Sequence, residues 1–186
     1  MDILIRDNFF PDPDKLRKFG LNSPYHWSGN VNKKNHHWLG HRTTPSYLSS
    51  VDEINNPIIE TVTRHYNFDV KDVDYTCSFH VSDLYNSCLE YFDDMKYHRD
   101  STKRNSWAGL VYLTPNPPKK SGTSILDSKN VKFIEVENVY NRLVCYPARY
   151  IHAMTNPFGT NLNTGRMSLT FFFLGEEILK YTHIMR

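Results

Sequence analysis

The feature that most constrains this chain is a change of texture near residue 74. From there to about residue 175, short runs rich in β-branched and aromatic residues follow one another: "YTCSFHVS", "CLEYF", "WAGLVYL", "VKFIEVE", "RLVCYP" and "RMSLTFFFL". Between them lie turn-rich stretches, above all "TPNPPKKSG" and "TNPFGTNLNTG". Parallel strands would need crossovers of a dozen or more residues, usually helical, and no helical pattern separates these runs. The arrangement predicts a mainly β (α+β) fold with an antiparallel sandwich, barrel or jelly roll at its centre.

The first 73 residues read instead as mainly helical or irregular. In "FFPDPDKLRKFGL", Asp12 can cap a helix, Pro13 suits the first helical position and Gly20 is placed to end it. In "SSVDEINNPIIETVTRHYNF", Ser50 and Glu53 have the spacing of a capping box, and Ile58, Ile59 and Val62 form an apolar stripe. Pro57 is expected to kink or restart that helix, with Asn56 as a new cap. No repeat or Pro/Gly-rich linker interrupts the 186 residues, so one domain is expected. It divides into a supporting segment over 1–73, a β core over 74–175, and a tail or short helix over 176–186.

Composition narrows the function classes. With 22 basic and 20 acidic residues the net charge is +2, which leaves no footprint for nucleic acid or an anionic membrane. The longest apolar run is far short of the roughly 20 residues that span a bilayer. "MDILIRDNFF" lacks the basic start and apolar middle of a signal peptide, so a cytoplasmic protein is expected. Three cysteines, Cys77, Cys88 and Cys145, are too few and wrongly spaced for a disulfide framework or a zinc knuckle. They read as small buried hydrophobes.

Within the β half, three places carry chemistry. His98 and Asp100, in "MKYHRDSTKRNSW", stand two apart, and in an extended segment both side chains point to one side. His152 follows 52 residues after Asp100 (152 − 100), just beyond the run "RLVCYP". Arg166 lies 14 residues further (166 − 152) and opens a strand in which Arg166, Ser168 and Thr170 alternate with Met167, Leu169 and Phe171. Such alternation puts a polar row on one face of an otherwise apolar strand. A guanidinium facing into a barrel demands a partner, and its planar fork matches a carboxylate. Two imidazoles and one carboxylate on one face of an iron leave open positions opposite, the arrangement used by non-haem Fe(II) oxygenases.

Taken in order, these segments resemble the Fe(II)/2-oxoglutarate-dependent dioxygenase superfamily, and within it the prolyl-4-hydroxylase-like branch. "YHRD" resembles the H-x-D iron motif, "VYLTP" the Y-L-N strand and "SGTSIL" the G-G-x-L segment. "RLVCYPARYIHAM" resembles the strand leading to the distal histidine, and "GRMSLTFFF" the R-x-S/T strand. Ser121-Gly122 stands where the family has a double glycine, and the stretch from His152 to Arg166 is longer than in many prolyl hydroxylases. The resemblance implies a double-stranded β-helix of jelly-roll, cupin-like type, supported by N-terminal helices. It implies that His98, Asp100 and His152 ligate Fe(II), that Arg166 pairs with the distal carboxylate of 2-oxoglutarate, and that Tyr112, Ser168 and Tyr91 are candidates to hydrogen-bond it. The activity implied is hydroxylation of an unactivated C–H with O2 as oxidant and succinate and CO2 as coproducts. The substrate would be a prolyl residue of a peptide or protein, or a small amino-acid-like molecule. Retention of Asp100 points to hydroxylation rather than halogenation.

Two other classes stay open at this level: a non-catalytic jelly-roll module with a relic metal site, and a nucleic-acid demethylase of the same superfamily. "NHHWLGH" offers His36, His37 and His41, but their spacing fits neither an H-E-x-x-H helix nor a zinc finger. Trp38, Gly40, His41 and Arg42 are alternatively part of a substrate rim. "TPNPPKKSG" is either a lid at the barrel mouth or a plain hairpin loop.

Overall fold

The structure is a computed structural model that describes residues 2–27, 40–83, 97–126 and 133–175. Its largest element is a seven-stranded antiparallel sheet in the order β1-β8-β5-β10-β4-β3-β2. These strands are β1 (Leu4–Arg6), β2 (His26–Trp27), β3 (His41–Arg42), β4 (Val73–Ser82), β5 (Trp107–Tyr112), β8 (Leu143–Pro147) and β10 (Arg166–Gly175). A second, three-stranded sheet, in the order β7-β6-β9, contains β6 (Thr123–Leu126), β7 (Phe133–Val136) and β9 (Ile151–Met154). The two sheets are mainly antiparallel layers of a jelly roll, as the sequence predicts. The candidate strand "CLEYF" and the tail over 176–186 lie outside the described residues.

The long central pair explains itself in the alternation of the sequence. β10 pairs with β4 along its whole length, from Arg166 opposite Ser82 to Gly175 opposite Val73. Directly opposed residues of an antiparallel pair share a face. One face therefore carries Phe79, Val81, Leu169 and Phe171, all fully buried. The other carries Ser78, His80, Ser82, Arg166, Ser168 and Thr170. The apolar face packs on the helices α1 (Pro13–Leu21) and α3 (Asp52–Tyr66) through Leu16, Ile54, Ile58 and Val62. Each such side chain taken from water contributes about 1.5–3 kcal/mol. The polar face looks instead toward the second sheet, where a smaller apolar cluster around Tyr112, Ile125, Val136 and Tyr146 closes the space between the layers.

The helices correct the sequence reading in two places. Asp12 does cap α1, accepting a hydrogen bond from the Lys15 amide at 2.9 Å, but the helix runs through Gly20 and is capped by Asn22. Gly20 serves packing there: a Cβ would lie 2.1 Å from Met167 Cε and 3.0 Å from the Phe79 ring. The Ser50–Glu53 capping box does not form; Val51 is the N-cap, with no side-chain bond, and Glu53 reaches across to Lys15 at 3.4 Å. Pro57 lies inside α3, which is continuous from Asp52 to Tyr66 and is capped by Asn67 in the left-handed conformation, so no new helix starts at Asn56. The cost of a proline is offset by the packing of Ile54, Ile58 and Val62 in the core.

The first 73 residues, mainly helical or irregular where described, also supply β1, which pairs with β8, and the paired β2 and β3, which extend the sheet beyond β4. They also contain a short helix α2 (Pro45–Leu48). The strands are only two or three residues long, too short to leave a periodic signal. At the other end of α3, Phe68 stacks on Trp107 at 4.0 Å and the Tyr66 hydroxyl donates to the Cys145 carbonyl at 2.9 Å. Cys77 and Cys145 are buried free thiols, their pKa pushed up by desolvation. Among the described residues, no helix is long and apolar enough to cross a membrane.

Candidate metal centre

Main-chain pairing brings the three metal-binding candidates together. His98 and His152 face each other in an isolated antiparallel bridge: the His98 amide donates to the His152 carbonyl at 3.0 Å, and the reverse bond is 2.9 Å. The amides of Asp100 and Ser101 both donate to the Ala148 carbonyl, at 3.1 and 3.2 Å. The "HRD" segment is thereby fastened along the turn that leads into β9. Backbone hydrogen bonds, not side-chain contacts, set where the three side chains start. In this position they converge.

His98 Nε2 lies 3.7 Å from Asp100 Oδ1, and His152 Nε2 lies 3.3 Å from Asp100 Oδ2. One ligand atom from each residue falls within 4.8 Å of the others. Donors on adjacent corners of a polyhedron with metal–ligand bonds of about 2.1 Å are roughly 3 Å apart, so a small inward adjustment suffices. His152 Nδ1 is 3.2 Å from the Tyr150 carbonyl oxygen, which assigns the ring proton to Nδ1 and leaves the Nε2 lone pair facing Asp100. Burial lowers the His152 pKa to about 4, against a smaller opposing effect of that hydrogen bond. The ring is therefore neutral near pH 7, the form that ligates a metal, and its approach to Asp100 is not an ion pair. Two imidazoles around a carboxylate that is 4% exposed are a donor set that fits Fe(II).

Arg166 and its neighbours lie on the same inner face. The guanidinium, 3% exposed, donates from Nε to the Ser121 carbonyl at 3.0 Å, and from Nη2 to the Gly122 carbonyl and Thr123 Oγ1, both at 3.3 Å. It lies over the Tyr112 ring, 5.2 Å from the centroid. Burial lowers the Arg166 pKa and neighbouring Tyr112 opposes the shift. The Tyr112 hydroxyl is 2.7 Å from Thr123 Oγ1. Ser168 stands opposite both Tyr112 and His80, and its buried hydroxyl has no hydrogen-bond partner among the described residues. Gly122 has no room for a side chain: a Cβ would lie 1.8 Å from the Val136 carbonyl oxygen. That close approach seats the two carbonyls that orient Arg166. Tyr91 lies outside the described residues, as do His36, His37 and Trp38.

Several inner-face residues were not singled out in the sequence. His80 sits opposite Ser168 and Arg42, and Tyr146 places its ring 4.8 Å from that of His152. Ser78, His80 and Ser82 alternate with Phe79 and Val81, the same signal that marks Arg166, Ser168 and Thr170. It was there to be found. Tyr146 has no comparable signal, because its strand "LVCYP" is apolar on both faces.

This fold is shared with the Fe(II)/2-oxoglutarate oxygenases, prolyl hydroxylases among them. A prolyl hydroxylase from Trichoplax adhaerens, solved in complex with a peptide of the hypoxia inducible factor oxygen degradation domain, superimposes with a TM-score of 0.60 at 12% identity, covering 93% of this chain and 83% of that one. A prolyl-4-hydroxylase from Pseudomonas putida gives 0.55 at 14% identity, covering 94% and 92%. A non-haem α-ketoglutarate-dependent carbocyclase of nogalamycin biosynthesis gives 0.62 at 11% identity, covering 93% and 79%. At these identities the likeness is one of fold. No family model matches the sequence, and no curated protein is significantly similar to it.

Proposed function

We propose that this chain is an Fe(II)- and 2-oxoglutarate-dependent oxygenase that hydroxylates an unactivated C–H of a prolyl or other amino-acid-like substrate, releasing succinate and CO2. The observation that carries this reading is the convergence of His98, Asp100 and His152 between the two sheets, with their ligand atoms within 4.8 Å. In this reading those three residues would hold the iron, which would activate O2 as the oxidant of the C–H bond. Arg166 binds the distal carboxylate of 2-oxoglutarate, for which a buried guanidinium on an aromatic ring is a fitting receptor. Ser168 and Tyr112 are the neighbouring hydroxyls that would join it. The chain's own work is to fix the ligand geometry, orient cosubstrate and substrate, and limit water beside the apolar cluster of Tyr112, Ile125 and Tyr146. A carboxylate buried between two imidazoles is an arrangement that a bound metal ion would stabilise, which favours a metal-holding site over a relic one.

The test is an anaerobic titration of the purified protein with Fe(II) and 2-oxoglutarate, following the visible charge-transfer absorption of the complex, with His152→Ala as control. Absorption in the wild type that is lost in the variant supports the reading. A folded wild type that gives none sinks it.

A further inference from the structure

The inner face carries a second guanidinium besides that of Arg166. Arg42 lies on β3 opposite His80, His80 lies opposite Ser168, and Ser168 lies opposite Tyr112. This row crosses four adjacent strands, and directly opposed residues share a face, so Arg42 belongs to the same surface as the cosubstrate candidates. Its contact agrees: Nη2 donates to Thr170 Oγ1 at 3.4 Å, and Thr170 in turn is 3.3 Å from Ser78 Oγ. Arg42 is near enough to Asp100 to feel its charge, and burial brings its pKa down to about 10, so it remains a cation at neutral pH.

The approach of β3 to this surface is built in. Gly40 has φ +134°, and a Cβ there would lie 2.4 Å from the Val81 carbonyl oxygen and 2.9 Å from His80 Nε2. The Thr43 amide donates to the Phe79 carbonyl, and the Phe79 amide to Thr43 Oγ1, both at 3.0 Å. Arg42 is clamped between these two anchors rather than displayed on a loop. The arrangement separates the cations, with Arg166 gripped from the β6 side of β10 and Arg42 on the β3–β4 side.

We propose that Arg42, with Thr170, Ser78 and His80 around it, is the specificity element of the primary-substrate subsite and binds a carboxylate of the substrate. The inference rests on the oxygenase reading and narrows it to substrates bearing a carboxylate. A guanidinium beside two hydroxyls presents donors that match a planar carboxylate. A divalent ion on the triad would oppose the pull of Asp100 on Arg42, and the incoming carboxylate would replace that attraction. Held there, an amino acid or a peptide terminus would lie across the inner face toward the triad.

The experiment uses the full chain loaded anaerobically with Mn(II) and 2-oxoglutarate, and measures binding calorimetrically. The probes are the free proteinogenic amino acids, their carboxamides, and prolyl tripeptides with free or amidated C-termini. Wild type is expected to bind at least one free acid or acidic side chain, and its amide about tenfold more weakly, which is about 1.4 kcal/mol. Arg42→Gln is expected to erase the difference and leave 2-oxoglutarate affinity unchanged, with Arg42→Lys recovering part of it. If Arg42→Gln does not fold, Thr170→Val, close in shape, is expected to weaken the acid severalfold and not the amide. Acids and amides binding alike, a preference that survives Arg42→Gln, or no carboxylate bound at millimolar concentration would each overturn the subsite. Failure of the wild type to bind 2-oxoglutarate with Mn(II) would instead overturn the oxygenase reading, and the subsite with it. The acid that binds separates a free amino acid from a peptide terminus or an acidic side chain.

Discussion

At the scale of single residues, the site rests on three donor groups and one guanidinium that are largely buried. Asp100→Ala and His98→Ala each remove one donor from the triad, and the backbone bonds that hold the segment do not involve the deleted atoms. Each variant is expected to stay folded by circular dichroism and to lose succinate production; retained production in either would refute the iron assignment. Arg166→Ala removes the guanidinium over Tyr112. Losing one partner of a buried charge pair costs about 2–5 kcal/mol, so 2-oxoglutarate affinity should fall by roughly two orders of magnitude in an equilibrium titration. An unchanged affinity would place the cosubstrate elsewhere.

Elements transmit local fit to the site. Gly122→Ala would drive a methyl group into the Val136 carbonyl oxygen, which must open the start of β6 away from β7. Overpacking of this kind costs about 1–3 kcal/mol. Because the Ser121 and Gly122 carbonyls hold Arg166, the same variant should both lower the denaturant midpoint and weaken 2-oxoglutarate binding. A stability loss with intact affinity would show that Arg166 is oriented otherwise. At the opposite edge of the sheet, Arg142 donates to both Asp7 oxygens, at 2.5 and 3.0 Å, tying the segment after β1 to β8. The hydrogen bond from Arg142 lowers the Asp7 pKa, with burial opposing. A depressed carboxylate stabilises the fold above its ordinary pKa near 3.8 and ceases to do so as pH falls through its folded value. Asp7→Asn should therefore flatten the acid limb of the stability profile below about pH 4, and only slightly, since Asp7 is half exposed.

For the whole molecule, the triad bridges two parts of the jelly roll: His152 belongs to the small sheet, while His98 and Asp100 come from the segment that leads into β5 of the large one. A cation bound there stabilises the folded state by mass action, about 2.7 kcal/mol at a hundred times its dissociation constant. Mn(II) should raise the melting temperature, a chelator should reverse the rise, and His152→Ala should abolish it. A metal effect that persists in that variant would locate the ion away from the triad.

The balance between sequence and structure differs from one segment to the next. The polar row Arg166, Ser168, Thr170 was legible because a strand with two buried faces has no other reason to alternate, and the H-x-D pair because two residues in extended chain share a side. The capping box at Ser50 was legible too and does not form, since Val51 starts the helix and Glu53 pairs with Lys15. Gly20 looked like a stop signal and is a packing contact, because propensity yields to tertiary fit where a helix crosses a sheet closely. By itself the sequence determined the mainly β class, the apolar and polar faces of the long strands, and the residue types available for a metal. Only the tertiary structure decided that His98 lies opposite His152, that Arg42 and His80 share the inner face, and that two-residue strands from the first third complete the sheet. The physical reason is range: alternation and spacing act between neighbours in sequence, while these pairings are main-chain hydrogen bonds between residues tens of positions apart, which leave no local periodicity to read.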